Sequence, residues 1–411
     1  MALRILLIKQ FFDPEPTIKG LAFAKELMLN GFEVEVLTGF PNYPGGKVYA
    51  GYKVKLIQRE VIDGVNVTRV PLYPSHDASA IRRVLNYLSF SASALIYGLF
   101  FARRADAIYA YHPPLTVGIA AALIGKVRKT PLIYDIQDLW PDTLHATGML
   151  KNRKALSVVD FFCRQVYKAA SRIIVLSPGF KNILTERKVD PVKITVIYNW
   201  ADKAALESDE GTIHSDFPDT DCFSIVFAGN IGKAQALDSV LAAAKILQER
   251  RSKVVFVLIG GGLDVERLKS LSTNLNLDNV RFIPRVPMSQ VGVYLRRASA
   301  LLVHLRKDRL FEITIPSKTQ AYMAIGKPLL MCVDGDAARL VKTAKAGIFC
   351  ESENALELAD SAERLSAMPP EELRQFGENA RNYYQNNLTL EVGVQKISNV
   401  IKGCVGKIYR S

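Results

Sequence analysis

A chain of 411 residues, 49% hydrophobic and 23% charged, holds material for two cores and lacks the bias of a disordered, collagen-like or membrane-embedded sequence. Its net charge of +13 calls for an anionic partner, yet the Lys and Arg residues are scattered without a nucleic-acid signature, so anionic small molecules or lipid headgroups fit better than RNA or DNA. The five cysteines, at 163, 222, 332, 350 and 404, share no metal-ligand spacing and read as core thiols of a reducing compartment.

In chain order, the first half alternates short β-type runs with helical patterns. RILLI at 4–8 reads as a strand, not as the apolar part of a secretory signal, and a helix near 20–30 ends at Gly31. Further strands follow at 34–38, 65–70, 107–111, 132–136, 172–177 and 193–198, which describes a doubly wound parallel sheet. Residues 84–102 carry no charge and are flanked by Arg82, Arg83, Arg103 and Arg104. The run is long enough to span a bilayer, but Asn86, Ser89, Ser91 and Ser93 dilute it and a span would break the sheet. It reads as a helix of the domain, either packed in the core or with one face on a membrane surface.

From Asn199 to Asp221 the texture turns polar, as in a linker. A second alternation then runs through strands at 224–229, 254–260, 280–283, 300–303, 329–333 and 348–350, and two helices broken near Asn386 and Asn387 close the chain. Two tandem α/β units would face each other across a cleft, with the carboxyl ends of both sets of strands turned toward it.

The stretch from His304 to Pro328 is the most telling. It runs from one buried strand through a charged loop into a helix that starts at Pro316 and Ser317 and stops at Gly326. Lys318 in the first helical turn, free N–H groups and the positive end of the helix dipole would seat a phosphate, with Glu312 beside it. Thr314 and Gln320 belong to the same segment. Alternatively, this is an ordinary crossover unit with solvated charges. Gly229 and Asn230 end a strand before a predicted helix opened by Lys233, and Gly260, Gly261 and Gly262 end another; each is either a backbone approach to a ligand or a tight turn. None matches a dinucleotide or P-loop motif. Arg285 follows the strand at 280–283 and either faces the cleft or sits on the surface. In the first half, His112 and Asp138 stand at strand ends, while Lys19 with Gly20 and Asn42 with Tyr43 belong to loops on the opposite wall. A structural histidine and an aspartate capping the next helix are the plainer readings of that pair. No metal cluster is expected, and no cofactor.

Four blocks, FFDPEPTIKGLAFAKELMLNGFEVEVLTGFPNYPGGK, YDIQDLWPDTL, AGNIGKAQALD and LFEITIPSKTQAYMAIGKP, together resemble a retaining glycosyltransferase of family four, in the branch that builds bacterial surface polysaccharides and similar to N-acetyl-L-fucosamine transferases. The resemblance spans nearly the whole chain. It implies the GT-B fold, α/β with two Rossmann-like domains facing an interdomain cleft: an acceptor domain over 1–200, a nucleotide-sugar domain over 201–385, and a C-terminal helix over 386–411 packed back on the first. It implies transfer from a UDP-sugar or other nucleotide-sugar donor to a lipid-linked saccharide acceptor, without a metal, in the cytoplasm at the inner face of the membrane. Glu312 would lie near the transferred sugar. The second glutamate of the family pair is absent, with Gln320 at that spacing or Ala321 by alignment on the helix end. Asn230 and Gln235 replace an arginine and a lysine, which Lys233 and Lys318 would compensate, and Gln137 replaces a histidine before Asp138. Two other classes share the shape: a non-hydrolysing sugar-nucleotide epimerase, and a sugar-nucleotide-binding scaffold without catalysis.

Overall fold

Runs such as LRILLI and ALLVH are almost wholly apolar, as strands of parallel sheets buried on both faces must be, and each belongs to a separate sheet. The computed structural model describes residues 2–75, 80–202, 206, 213–219 and 221–408. It divides into two units, Met1–Tyr198 with Leu390–Ser411, and Asn199–Thr389.

The first unit holds β1 (Leu3–Ile8), α1 (Leu21–Leu29), β2 (Phe32–Gly39), β3 (Gln58–Ile62), β4 (Val65–Val70), α2 (Ala80–Phe100), β5 (Ala107–His112), α3 (Leu115–Arg128), β6 (Leu132–Ile136), α4 (Asp142–Ala146), α5 (Arg153–Ala169), β7 (Arg172–Val175), α6 (Pro178–Glu186) and β8 (Ile194–Val196). Its sheet runs β3-β4-β2-β1-β5-β6-β7-β8. All pairs are parallel except β3 with β4, joined through Asp63 and Gly64, both at positive φ.

The second unit holds β9 (Phe223–Asn230), α7 (Asp238–Glu249), β10 (Val254–Gly261), α8 (Val265–Asn274), β11 (Val280–Ile283), α9 (Met288–Arg297), β12 (Ala300–His304), α10 (Arg309–Glu312), α11 (Ser317–Ile325), β13 (Leu329–Cys332), α12 (Asp336–Ala344), β14 (Gly347–Phe349), α13 (Ala355–Ser366) and α14 (Pro370–Asn387). Its all-parallel sheet runs β11-β10-β9-β12-β13-β14, so the order reverses between β9 and β12. The last helix, α15 (Leu390–Ile408), packs on α1 in the first unit.

Three readings are revised and one left open is narrowed. β3 was not read from the sequence, because QREVI has only two apolar residues and lies on a sheet edge. The reading of five separate thiols is corrected: Cys332 and Cys350, 18 residues apart, form a disulfide because β13 and β14 are neighbours. The helix after Lys233 opens only at Asp238, since Ala236 takes a left-handed conformation at φ 46° and leaves Lys233–Gln235 as a single 3-10 turn. Finally, α2 is packed on one face only: Asn86, Phe90, Ala94 and Tyr97 are buried while a second stripe is exposed. Among the described residues no helix is long and apolar enough to cross a membrane. Part of the polar stretch at 199–221 lies outside the described residues.

Candidate functional site

Ligands of open α/β sheets bind beyond the carboxyl ends of the strands, where the strand order reverses. In the second unit that point lies between β9 and β12, and α11 begins there. The Tyr322 hydroxyl fixes the helix by accepting from the Ala228 amide at 2.8 Å and donating to the Ala228 carbonyl at 3.3 Å. Gly326 ends it in a left-handed conformation, and Arg381 donates to the Ile325 carbonyl at 2.8 Å. No side chain caps its start after Pro316, so the first N–H groups keep their donor capacity.

Lys318 stands in that first turn. Its Nζ is buried without a hydrogen-bond partner among the described residues and lies 3.5 Å from the centroid of the Phe227 ring. Burial pushes its pKa down to about 7. The ring face offsets part of the lost hydration, but an ammonium with no anion beside it is a costly arrangement that a bound anion would relieve. Gly229 beside it, at φ 143°, holds a backbone conformation that L side chains rarely adopt, and a Cβ there would meet the Lys318 Nζ only at ordinary contact distance, 3.5 Å.

Around this seat the predicted residues fall into three groups. Gly261 and Arg285 line one cavity of about 320 Å³, together with Ile231, Gly260, Gly262 and Phe282. Asn230 and Gln235 hold each other at 3.4 Å, and Gln235 also accepts from the Gly232 amide at 3.1 Å, so the two amides shape the turn that carries exposed Lys233. The third group is the 304–320 segment. Glu312 is exposed at the end of α10, and Ser317 is exposed at the start of α11. Thr314 donates to the Leu310 carbonyl at 2.7 Å. Gln320 is buried, and with its amide nitrogen turned inward it donates to the Pro316 carbonyl at 2.8 Å, so its polar reach is directed into its own helix.

Sequence reasoning assigned no role to His304, whose Nδ1 lies 2.7 Å from the Gln235 carbonyl and whose pKa burial lowers to about 4. The neutral imidazole ties the end of β12 to the Lys233 turn. Nor could the sequence show how Glu312 is held. Gly335, at φ 77°, lies so close that a Cβ would stand 1.9 Å from the Glu312 carbonyl oxygen. Gly335→Ala is therefore expected to displace the Glu312 loop, on top of a backbone strain of about 1–3 kcal/mol for a side chain at φ 77°, ψ −136°. Thermal melting should show the destabilisation and steady-state kinetics a reduced kcat; a wild-type kcat in a folded variant would remove Glu312 positioning from the account.

In the first unit, the strand ends carry a buried polar network. Lys19 and Asp135, 1% and 0% exposed, form an ion pair. Asp135 also accepts from the Tyr109 hydroxyl at 2.5 Å and from Gln137 Nε2 at 2.6 Å, so it locks the Lys19 loop. Lys9, not singled out from the sequence, donates to the Thr17 hydroxyl and the Lys19 carbonyl, each at 2.6 Å, and burial lowers its pKa to about 7. Glu15 accepts from the Asn42 and Tyr43 amides at 2.7 Å each, which fixes the Asn42–Tyr43 loop. Gly20 precedes α1, where Leu21 donates to Asp13 at 2.6 Å. His112 packs edge-on against Trp140 at 5.1 Å; burial holds its pKa at about 3, so the ring is neutral near pH 7. Asp138 is partly exposed, and burial raises its carboxyl pKa. Among the described residues no three His, Cys, Asp or Glu side chains are grouped as metal ligands.

Known proteins bear on both halves. Residues 21–200 match the glycosyl transferase 4-like domain, and residues 213–383 match glycosyl transferases group 1. The chain is 24% identical to the putative colanic acid biosynthesis glycosyl transferase WcaI of Escherichia coli K12, covering 98% of this chain and 100% of WcaI. It is 22% identical to the probable glycosyltransferase WbjE of Pseudomonas aeruginosa, over 73% of this chain and 75% of WbjE. Among solved structures, Anabaena HepE in complex with UDP-glucose superposes with a TM-score of 0.66 at 14% identity, covering 98% of this chain and 100% of HepE.

Proposed function

We propose, from the premise that this chain is a GT-B glycosyltransferase of the family-four-like type, that it transfers a sugar with retention from a UDP-linked donor to a lipid-linked saccharide in the synthesis of a bacterial surface polysaccharide. The transferred sugar is an amino or deoxy sugar of the N-acetyl-L-fucosamine kind, and the protein works in the cytoplasm at the inner face of the membrane. The observation that carries the donor half is the buried ammonium of Lys318, without a hydrogen-bond partner among the described residues, at an uncapped helix start. That combination favours a diphosphate, and it would stabilise the same group as it departs. The adjoining cavity of about 320 Å³ beside Arg285 suits the nucleoside end of the donor. UDP is preferred because HepE, which shares the fold, carries UDP-glucose.

Glu312, exposed and held through Gly335, is assigned to the transferred sugar. Lys19, Gly20, Asn42 and Tyr43 are assigned to the acceptor. Asp138, whose raised pKa suits proton exchange with an incoming hydroxyl, and neutral His112 complete that side. The chemistry assigned to these residues runs without a metal.

Purified protein incubated with UDP-, GDP- and dTDP-sugars and a lipid-linked saccharide diphosphate provides the test. Glycosyl transfer from a UDP-sugar with retained anomeric configuration is expected. Conversion of the donor without any acceptor would mark an epimerase, and tight donor binding with no turnover under any acceptor would leave a binding scaffold; either result overturns the transfer reading.

A further inference from the structure

The segment that carries Glu312 is held between two loops of the second unit. One, residues 333–335, leaves β13 at Cys332. Leu305 donates its amide to the Cys332 carbonyl at 3.4 Å, and Gly335 lies against the Glu312 carbonyl, where a Cβ would stand 1.9 Å away. The other, residues 351–353, follows β14 and leaves from Cys350. Ser352 donates its hydroxyl to the Leu305 carbonyl, and the Glu353 carboxylate accepts from the Lys307 amide at 2.7 Å. Glu351 accepts from the Lys307 ammonium at 2.6 Å, but that pair is exposed and weak. Both loops thus grip residues 305–312, and they begin at the two cysteines that are bonded to each other.

The near end of the second loop depends on that bond. β14 has three residues, lies at the edge of the sheet and pairs with β13 alone among the described strands, so its ladder is short. Glu353 takes a left-handed φ of 62°, which a residue with a side chain keeps only where its surroundings impose it. The far end is secured separately: Asn354 caps α13 by accepting from the Glu357 amide at 3.1 Å, and α13 packs on α7. Cys332 and Cys350 are 0% and 5% exposed, and Cys332 stands in register with His304 at the end of β12. The cystine therefore sits in the core directly beneath the two loops. None of the contacts that grip residues 305–312 involves Lys318.

We propose that the Cys332–Cys350 disulfide is a positioning element of the donor site, holding the 305–312 segment and so fixing where Glu312 meets the transferred sugar. The proposal rests on the assignment of Glu312 to that sugar. Reduction by a dithiol breaks the S–S bond with two electrons and two protons and leaves two thiols, while the dithiol closes to its cyclic disulfide. The loops then lose their common anchor, and Glu312 loses its fixed place. The diphosphate seat at Lys318 is untouched. A staple that only constrained the unfolded chain would lower the melting temperature without this selectivity.

The test begins with the full chain equilibrated with oxidised glutathione, which accepts the two electrons of the thiol pair. Mass spectrometry of a non-reduced digest should find the Cys332 and Cys350 peptides joined. Deuterium exchange, run below the onset of melting, then compares this chain with the dithiothreitol-reduced chain and with Cys332→Ala combined with Cys350→Ala. The Leu305 and Lys307 amides should exchange at least about tenfold faster in the latter two, with β9 and β10 unchanged. In the transfer assay, kcat/KM for the donor should fall about 10–100-fold, as for a misplaced site group, while the acceptor KM and the affinity for UDP alone stay at the oxidised values. Unjoined peptides, unchanged exchange at Leu305 and Lys307, an unchanged donor kcat/KM, or a parallel fall in UDP affinity would overturn the proposal. Absence of transfer by the oxidised chain would instead remove the reading of Glu312, and exchange, which needs neither donor nor acceptor, separates that failure from failure of the clamp.

Discussion

Lys318→Met is expected to lower turnover by about 10²–10³-fold, the scale set by removing one charge-stabilising donor from a developing anion. The methionine keeps the apolar stem against Phe227 and deletes only the ammonium that lies 3.5 Å from the ring centroid. UDP affinity should fall by about 10–100-fold, as expected for one lost hydrogen bond between charged groups. The free protein should show the opposite sign. Burial puts the Lys318 pKa near 7, below its ordinary 10.5, so between those values the unfolded chain binds the additional proton and stability rises with pH. Removing the amine deletes that slope and raises the melting temperature at neutral pH. Lys9, also lowered to about 7, keeps its own share of the pH dependence. Donor binding adds a further signature. A diphosphate favours the charged lysine, so affinity for UDP should weaken by about tenfold per pH unit above 7 in the wild type and stay flat in the variant. Calorimetric titration of UDP across pH provides the measurement; unchanged UDP affinity in Lys318→Met would sink the phosphate seat.

Asp135→Asn should produce the largest loss of stability. The change keeps the shape of the side chain but leaves the Lys19 ammonium, 1% exposed, without its counter-charge. Breaking a buried pair on one side costs about 3–5 kcal/mol. For a unit of this size that lowers the melting temperature by about 6–20 °C. The loss should be local to the first unit, since Lys19 connects to Lys9 through a backbone carbonyl and to α1 through the adjoining loop. Lys19→Met combined with Asp135→Leu should recover part of it, because replacing both charges removes the uncompensated one. Wild-type melting of Asp135→Asn would show that water reaches the pair and that the network has no such role.

Much of this molecule was legible as sequence. Strands buried on both faces read as continuous apolar runs, so β1, β6, β9, β10 and β13 could be placed to within a residue or two. The two-unit α/β pattern, the start of α11 at Pro316 and its glycine stop followed from local rules of backbone and capping. The edge strand β3 escaped for lack of an apolar run, though Asp63-Gly64 was a hairpin signal that could have disclosed it. Gln320 looked like a ligand contact by its spacing from Glu312, a one-dimensional measure that carries no information about which way the amide turns.

Local patterns along the chain dictate where it goes extended or helical, because periodicity and turn chemistry act over a few residues. Which side chains lose water is a different matter, decided when distant segments close on one another. Lys318 has a depressed pKa because the fold buries it, with Phe227 of β9 beneath its ammonium, Lys19 finds Asp135 across 116 residues, and Cys332 meets Cys350 only after two strands pair. Desolvation and charge pairing depend on three-dimensional neighbours, and those exist only in the folded protein.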